Sequence, residues 1–379
     1  MFKKLFLLFI FICVSQTKAA YAIENPLTTP NNKFGIHILF PNELSDAAQL
    51  VNSSGGDWGY VVIPIQSGDK DLQKWQKFMD DCRKYHLIPI IRLATEGDYF
   101  NTKVWRKPTQ ADVLDFANFL HSLIWPVKNR YVIAYNEVNN ANEWGGDANP
   151  AEYTGILHYA VSAFKAKSLD FFIISAGMDN AAANTSFSLN EYTYLQQMAA
   201  ANRDIFNQID GLGSHSYPNP AFSTPPWVLH NESIKSFQFE KKLVQGFSNK
   251  DLPVFITETG WSNHQVDEET IAAYYKIAFA TAWSDSSIVT VAPFLLRAGG
   301  EPFGQFSFYR ENGSPDPAYI AIHDITKING NPSVTELFIE KKPERKQTLA
   351  VRTFPKTFNT PLAYVSQPAK ELIKWFLHL

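Results

Sequence analysis

The chain has 379 residues, of which 34 are basic and 37 acidic, for a net charge of −3. That balance leaves no cationic surplus to neutralise phosphates, so nucleic acid is not an expected partner. Hydrophobic residues make up 45% and charged residues 19%, proportions that exclude global disorder.

The N-terminus reads as an export signal. Lys3 and Lys4 are followed by an uncharged apolar run over 5–14 and by Ala20-Tyr21-Ala22, a small-residue cleavage pattern. Residues 1–22 are therefore expected to be a signal peptide cut after Ala22, and the product to be secreted or associated with the cell envelope. The run is shorter than the ~20 residues of an ordinary span. A membrane is expected as a partner only if this segment is retained as an anchor. Cleavage removes Cys13 and leaves Cys82 alone, so no disulfide is expected within the mature chain.

Residues 23–32 are polar and proline-containing and read as a linker. Beyond them, apolar runs alternate with helical spacing. The runs at 34–39, 58–63, 88–93, 131–136, 171–176, 209–215, 254–258 and 288–295 predict strands. Several are almost wholly hydrophobic, as strands covered on both faces must be. Helices are predicted over 43–52, 72–85, 109–124, 151–167, 189–202, 234–245, 268–283 and 317–328. Eight such alternations across 33–330 predict an α/β fold, a (β/α)8 TIM barrel, with an open doubly wound sheet as the competing arrangement. Residues 331–379 form a short C-terminal extension, with β-like runs at 336–339 and 348–353. It closes with Leu372, Trp375, Phe376 and Leu379 at helical spacing.

In such a barrel, reactive groups stand at the carboxyl ends of strands. The fourth run ends in Asn136-Glu137 and the seventh in Glu258. The sixth ends in His215-Ser216-Tyr217, the third in Arg92 and the first in His37. Two carboxylates on one rim suit retaining glycoside hydrolysis, in which one protonates the leaving oxygen and the other attacks the anomeric carbon. Arg92, His215 and Tyr217 are candidate donors to the attacking carboxylate, and Asn136 a candidate for a sugar hydroxyl. Glu143 is a rival acid six residues beyond Glu137. Aromatic residues are abundant, with 29 Phe, 16 Tyr and 9 Trp. Trp144, Trp261 and Phe294 are candidate sugar platforms, each with core packing as the competing role. No serine-nucleophile elbow, zinc helix or phosphate loop is found, so neither a metal nor a cofactor is expected.

These residues resemble the retaining glycoside hydrolases of clan A. The resemblance spans about 33–329 and implies Glu137 as acid/base and Glu258 as nucleophile, with Tyr217 hydrogen-bonded to the nucleophile. Thr257-Glu258-Thr259-Gly260-Trp261 is similar to a stretch of the β-1,3-glucanases in that clan. The chain departs from the pattern at Val138 and Ser262, where many members have Pro, and at Phe294, where many have Trp. Arg92 closes strand three, whereas the familiar clan arginine often comes from strand two. The implied activity is hydrolysis of O-glycosidic, β-type bonds in a poly- or oligosaccharide. The alternatives are a carbohydrate-binding barrel without turnover and an envelope-anchored structural protein.

Overall fold

The computed structural model describes residues 23–336, apart from 100 and 299. The chain divides into two compact units, residues 1–335 and 336–379, and the described elements all belong to the first. The signal segment, the terminal helical spacing and the runs of the tail lie outside the described residues, save Glu336. Among the described residues, no helix is long and apolar enough to cross a membrane.

Eight strands form where the apolar runs fall: β1 Gly35–His37, β2 Gly59–Gln66, β3 Leu87–Ala94, β4 Arg130–Ala134, β5 Phe171–Ser175, β6 Leu212–His215, β7 Val254–Glu258 and β8 Ile288–Val291. Every pairing is parallel, running β1 to β5 in one series and β6 to β8 in another. Two seams join the series. Ile174 bridges Gly211 between β5 and β6, and the Ser175 amide donates to the Gly211 carbonyl at 3.2 Å. Phe34 bridges Val291 between β8 and β1, and the His37 amide donates to the Pro293 carbonyl at 3.0 Å. The sheet thus closes into a (β/α)8 barrel, and an open sheet with two free edges is excluded.

Alternation along the strands builds two apolar layers. Tyr60, Val62, Ile90, Tyr131, Ile133, Phe172, Ile174 and Phe255 fill the barrel interior. Val61, Ile63, Ile91, Val132, Ile173 and Ile256 face outward against the helices. This double burial is why the strands read as continuous apolar runs.

The helices are α1 Leu44–Val51, α2 Leu72–Lys84, α3 Gln110–Ser122, α4 Pro150–Lys167, α5 Glu191–Ala201, α6 Ile205–Gln208, α7 Ser236–Gln245, α8 Glu268–Ala280 and α9 Pro317–Asp324. Side-chain caps set most of their starts. Asp71, Asn149, Asp267 and Asp316 each accept a backbone N–H three residues on, and Thr109 and Asp112 form a capping box. The short α6 has too little periodicity to be read from sequence. Strand β8 ends four residues before its predicted limit. There the chain turns to the mouth, with the Phe294 amide donating to the Thr259 carbonyl at 2.8 Å.

Two boundaries need correction. Residues 23–32 are not a free linker: the Glu24 amide donates to Asn129 Oδ1 at 3.0 Å, and Asn31 Nδ2 to the Val289 carbonyl at 2.6 Å. This polar segment lies across the amino end of the barrel, where its side chains satisfy strand-end backbone groups. The extension likewise begins later than 331. The Asn331 amide donates to the Pro30 carbonyl, and Val334 bridges Val127.

Glycine is required where β6 meets β5. A Cβ on Gly213 would lie 2.2 Å from the Ser175 carbonyl oxygen and 3.0 Å from the Gly177 nitrogen, both backbone atoms. Gly213→Ala is expected to destabilise the barrel by about 1–3 kcal/mol, measured as a lower thermal unfolding midpoint.

Candidate active site

The strand ends converge on a cavity of about 280 Å³, lined by Arg92, Asn136, Glu137, Tyr217, Glu258 and Phe294 together with Glu143 and Asp179. His37 and His215 lie behind it, fully buried.

Two backbone irregularities aim the carboxylates. Strict alternation after inward Phe255 would turn Glu258 outward with Ile256. Instead Ser214 pairs with Ile256 and His215 with Glu258, so β7 carries an extra residue between them. This bulge turns Glu258 to the mouth. At the end of β4 the chain enters the left-handed region twice, at Tyr135 (φ 73°) and Glu137 (φ 33°). Such conformations in non-glycine residues cost on the order of 1–3 kcal/mol each. They are held by the Glu137 amide donating to the Gly177 carbonyl at 3.0 Å and the Asn140 amide donating to the Glu137 carbonyl at 2.8 Å.

His215 stands between the carboxylates. Its Nδ1 is 3.0 Å from Glu137 Oε1 and 3.8 Å from Glu258 Oε2. The Glu137, His215 and Glu258 ligand atoms all lie within 4.8 Å of one another. The Tyr217 hydroxyl donates to Glu258 Oε2 at 3.2 Å, and His37 Nε2 lies 3.5 Å from Glu258 Oε1. His215 fits only because residue 177 is glycine: a Cβ there would sit 2.1 Å from the imidazole Cδ2.

The same surroundings drive the two carboxyls apart. Burial raises Glu137 above the ordinary carboxylate range, outweighing the hydrogen bond from His215. Burial also opposes ionisation of Glu258, but His215 and Arg92 beside it and the Tyr217 hydroxyl win, and Glu258 is lowered. Burial would lower His215 as well, yet the two carboxylates outweigh it and raise the imidazole. His37 faces only modest compensation, and burial takes it down to about 3, so it is neutral at pH 7. Glu143 is pushed up to about 7 by burial and by the Glu137 charge.

Most of the sequence-predicted site residues meet here. Arg92 points inward from β3, two residues before the strand ends, and lines the cavity. Asn136 also lines it, with Oδ1 left without a partner among the described residues. Phe294 lies edge-on to His37 at 5.0 Å. Trp144 and Trp261 do not belong to the site. Trp144 is 1% exposed and packs perpendicular to Tyr153, and Trp261 is 2% exposed among Tyr274, Tyr275 and Trp283. The Trp261 indole donates to the Thr224 carbonyl at 2.8 Å. Both rings anchor rim loops from beneath, so neither offers a face to a ligand. Glu143, expected farther away, does reach the cavity, because the 3-10 turn Ala141–Glu143 folds the loop back. Sequence reading missed Tyr99, Trp105, Asp179, Phe222, Phe303 and Phe306, which line the cavity from long loops without a strand-end signal.

The chain matches no protein-family model and no curated protein. Solved structures do resemble it. A family 39 glycoside hydrolase from Bacteroides cellulosilyticus WH2 aligns with a TM-score of 0.55 at 17% identity, over 80% of this chain. The match spans 64% of that protein, so this chain accounts for less than two thirds of its length. A glucosidase from Croceicoccus marinus aligns with a TM-score of 0.59 at 10% identity, over 78% of this chain and 67% of that one. A GH128 (subgroup II) endo-β-1,3-glucanase from Pseudomonas viridiflava aligns with a TM-score of 0.50 at 14% identity, over 78% and 99%. What these proteins share with this chain is the (β/α)8 barrel fold.

Several buried carboxyls outside the Glu137–Glu258 pair also resist ionisation. Burial pushes Glu43, Glu240 and Asp316 up to about 7, and Glu191 well above its ordinary value. Between the ordinary carboxylate range and pH 7, the folded chain therefore holds protons that the unfolded chain has released. Stability then falls as pH rises through that window. His37 contributes the opposite slope, since its proton is held by the unfolded chain between about 3 and 6.5. It is one group against several. The thermal unfolding midpoint is expected to be lower at pH 7.5 than at pH 5.5, and Glu240→Gln to flatten the difference, as read by circular dichroism.

Proposed function

We propose that the protein is a retaining glycoside hydrolase acting on β-type O-glycosidic bonds of a poly- or oligosaccharide. The observation that carries the reading is the pair Glu137, three residues past β4, and Glu258, at the end of β7, with oxygens within 4.8 Å and opposite shifts in acidity. The retaining geometry calls for a carboxyl separation of ~5–5.5 Å, whereas the inverting one needs room for a water.

Glu258, kept ionised, attacks the anomeric carbon and forms a glycosyl ester. As the bond to the leaving oxygen breaks, protonated Glu137 gives that oxygen its proton. Glu137, now a carboxylate, takes a proton from water attacking the same carbon, and the sugar leaves Glu258. In this reading Asn136 and Arg92, which line the cavity, hydrogen-bond sugar hydroxyls. The Tyr217 hydrogen bond orients the nucleophile without adding charge.

Glu258→Ala should have no turnover while folding normally. Glu137→Ala should lose ~10²–10⁴ in kcat on glycosides with poor leaving groups, and much less with a dinitrophenyl leaving group that needs no proton. Proton NMR of the first-formed product should show retained anomeric configuration. Full activity of either variant, or an inverted product, overturns the mechanism.

We also propose that residues 1–22 direct export. Protein recovered outside the cytoplasm should begin at Ile23, as read by N-terminal sequencing. An intact N-terminus in that material would overturn cleavage.

A further inference from the structure

The catalytic cavity has a neighbour. A second concavity of about 380 Å³ lies over the ends of β1, β2 and β3. The two share Leu39 and Tyr99, so those side chains form a common wall between them.

The floor and rim of this trough are built rather than loose. The Trp75 indole, buried beneath, donates to the Asp69 carbonyl at 2.8 Å. Gln66 Nε2 donates to the Gly97 carbonyl at 2.7 Å, tying β2 to the β3 loop. Phe40 lies on the rim and is 49% exposed. Its loop is held by Glu43 Oε1, which accepts from the Leu39 amide at 3.1 Å and the Phe40 amide at 2.8 Å. A half-open ring on a fixed loop, beside polar groups, suits a ligand with an apolar face and hydroxyl edges. Tyr99 continues the aromatic line toward the catalytic pair, backed by Trp105 at 5.8 Å.

The opposite flank is packed differently. There Phe222 and Phe306 meet at 89° and Phe294 and Phe306 at 73°, so edge contacts between rings cover part of their faces. Among the described residues, a half-open aromatic ring and polar groups stand together on the β1–β3 side.

We propose that this trough binds glycosyl units beyond the one at the catalytic pair, with Phe40 and Tyr99 as aromatic contacts, and that the substrate is an oligosaccharide of at least three units. The proposal rests on the glycosidase reading and names the substrate class for the same site. Binding energy from remote units is available to the chemical step, so longer chains should react faster and not only bind better.

The test is kcat/KM on two-unit and four-unit β-glucan, β-mannan and xylan oligosaccharides. For the series that is cleaved, the four-unit to two-unit ratio should exceed about five in the wild type. Phe40→Ala should bring the ratio near one, and Phe40→Trp should restore it. Leu169→Ala, an exposed residue just before β5 at the amino end of the barrel, should leave the ratio unchanged. A wild-type ratio near one, or a raised ratio that Phe40→Ala leaves intact, overturns the trough while the glycosidase reading stands. Absence of turnover at every length overturns both.

Discussion

Two carboxylates held within 4.8 Å in the mouth of a barrel repel each other strongly, because little solvent is present to screen them. Much of the surrounding architecture answers that constraint. His215 stands between them on β6, and its imidazole is raised by both. Gly177 gives the ring its space, and Tyr217 satisfies one oxygen of Glu258 without bringing a charge. The arrangement is asymmetric. More positive potential reaches Glu258 than Glu137, so one carboxyl is ionised and its partner resists ionisation. That difference is what a reaction with one nucleophile and one proton donor requires.

The barrel supplies the rigidity for this at a distance from the site. Its interior is packed by aromatic and branched side chains from alternate strands, and both seams are closed by backbone hydrogen bonds. Irregular backbone is concentrated at the mouth, in the bulge of β7 and in the left-handed residues Tyr135 and Glu137. Such conformations persist only where the surroundings over-determine them. At the amino end, residues 24–31 and 330–335 pack against the strand starts.

The aromatic surplus divides between two tasks. Trp144, Trp261, Trp75 and Trp283 are core, each nearly or fully buried, and several lie beneath the rim. The rings that face the cavity are largely Phe and Tyr from loops: Tyr99, Phe222, Phe294, Phe303 and Phe306. The buried indoles anchor the loops from below, while smaller rings, with Trp105, shape the opening. With Cys82 buried and free, the described part of the chain draws its stability from this packing.

Alternating apolar runs and helical spacing were enough to determine eight strands, most helices and a parallel α/β fold with a barrel expected ahead of an open sheet, because double burial and 3.6-residue periodicity are local properties written along the chain; closure itself rests on the two seams. Glu137, Glu258, His215 and Tyr217 were legible for the same reason, since each ends a strand or follows it by two or three residues. Tertiary structure decided what depends on contacts distant in sequence. It sent Trp144 and Trp261 into the core, brought Glu143 and Asp179 to the cavity, and joined residues 23–32 to the barrel floor. It also decided which way Glu258 points, because a bulge is a mismatch between two strands and no single strand records it.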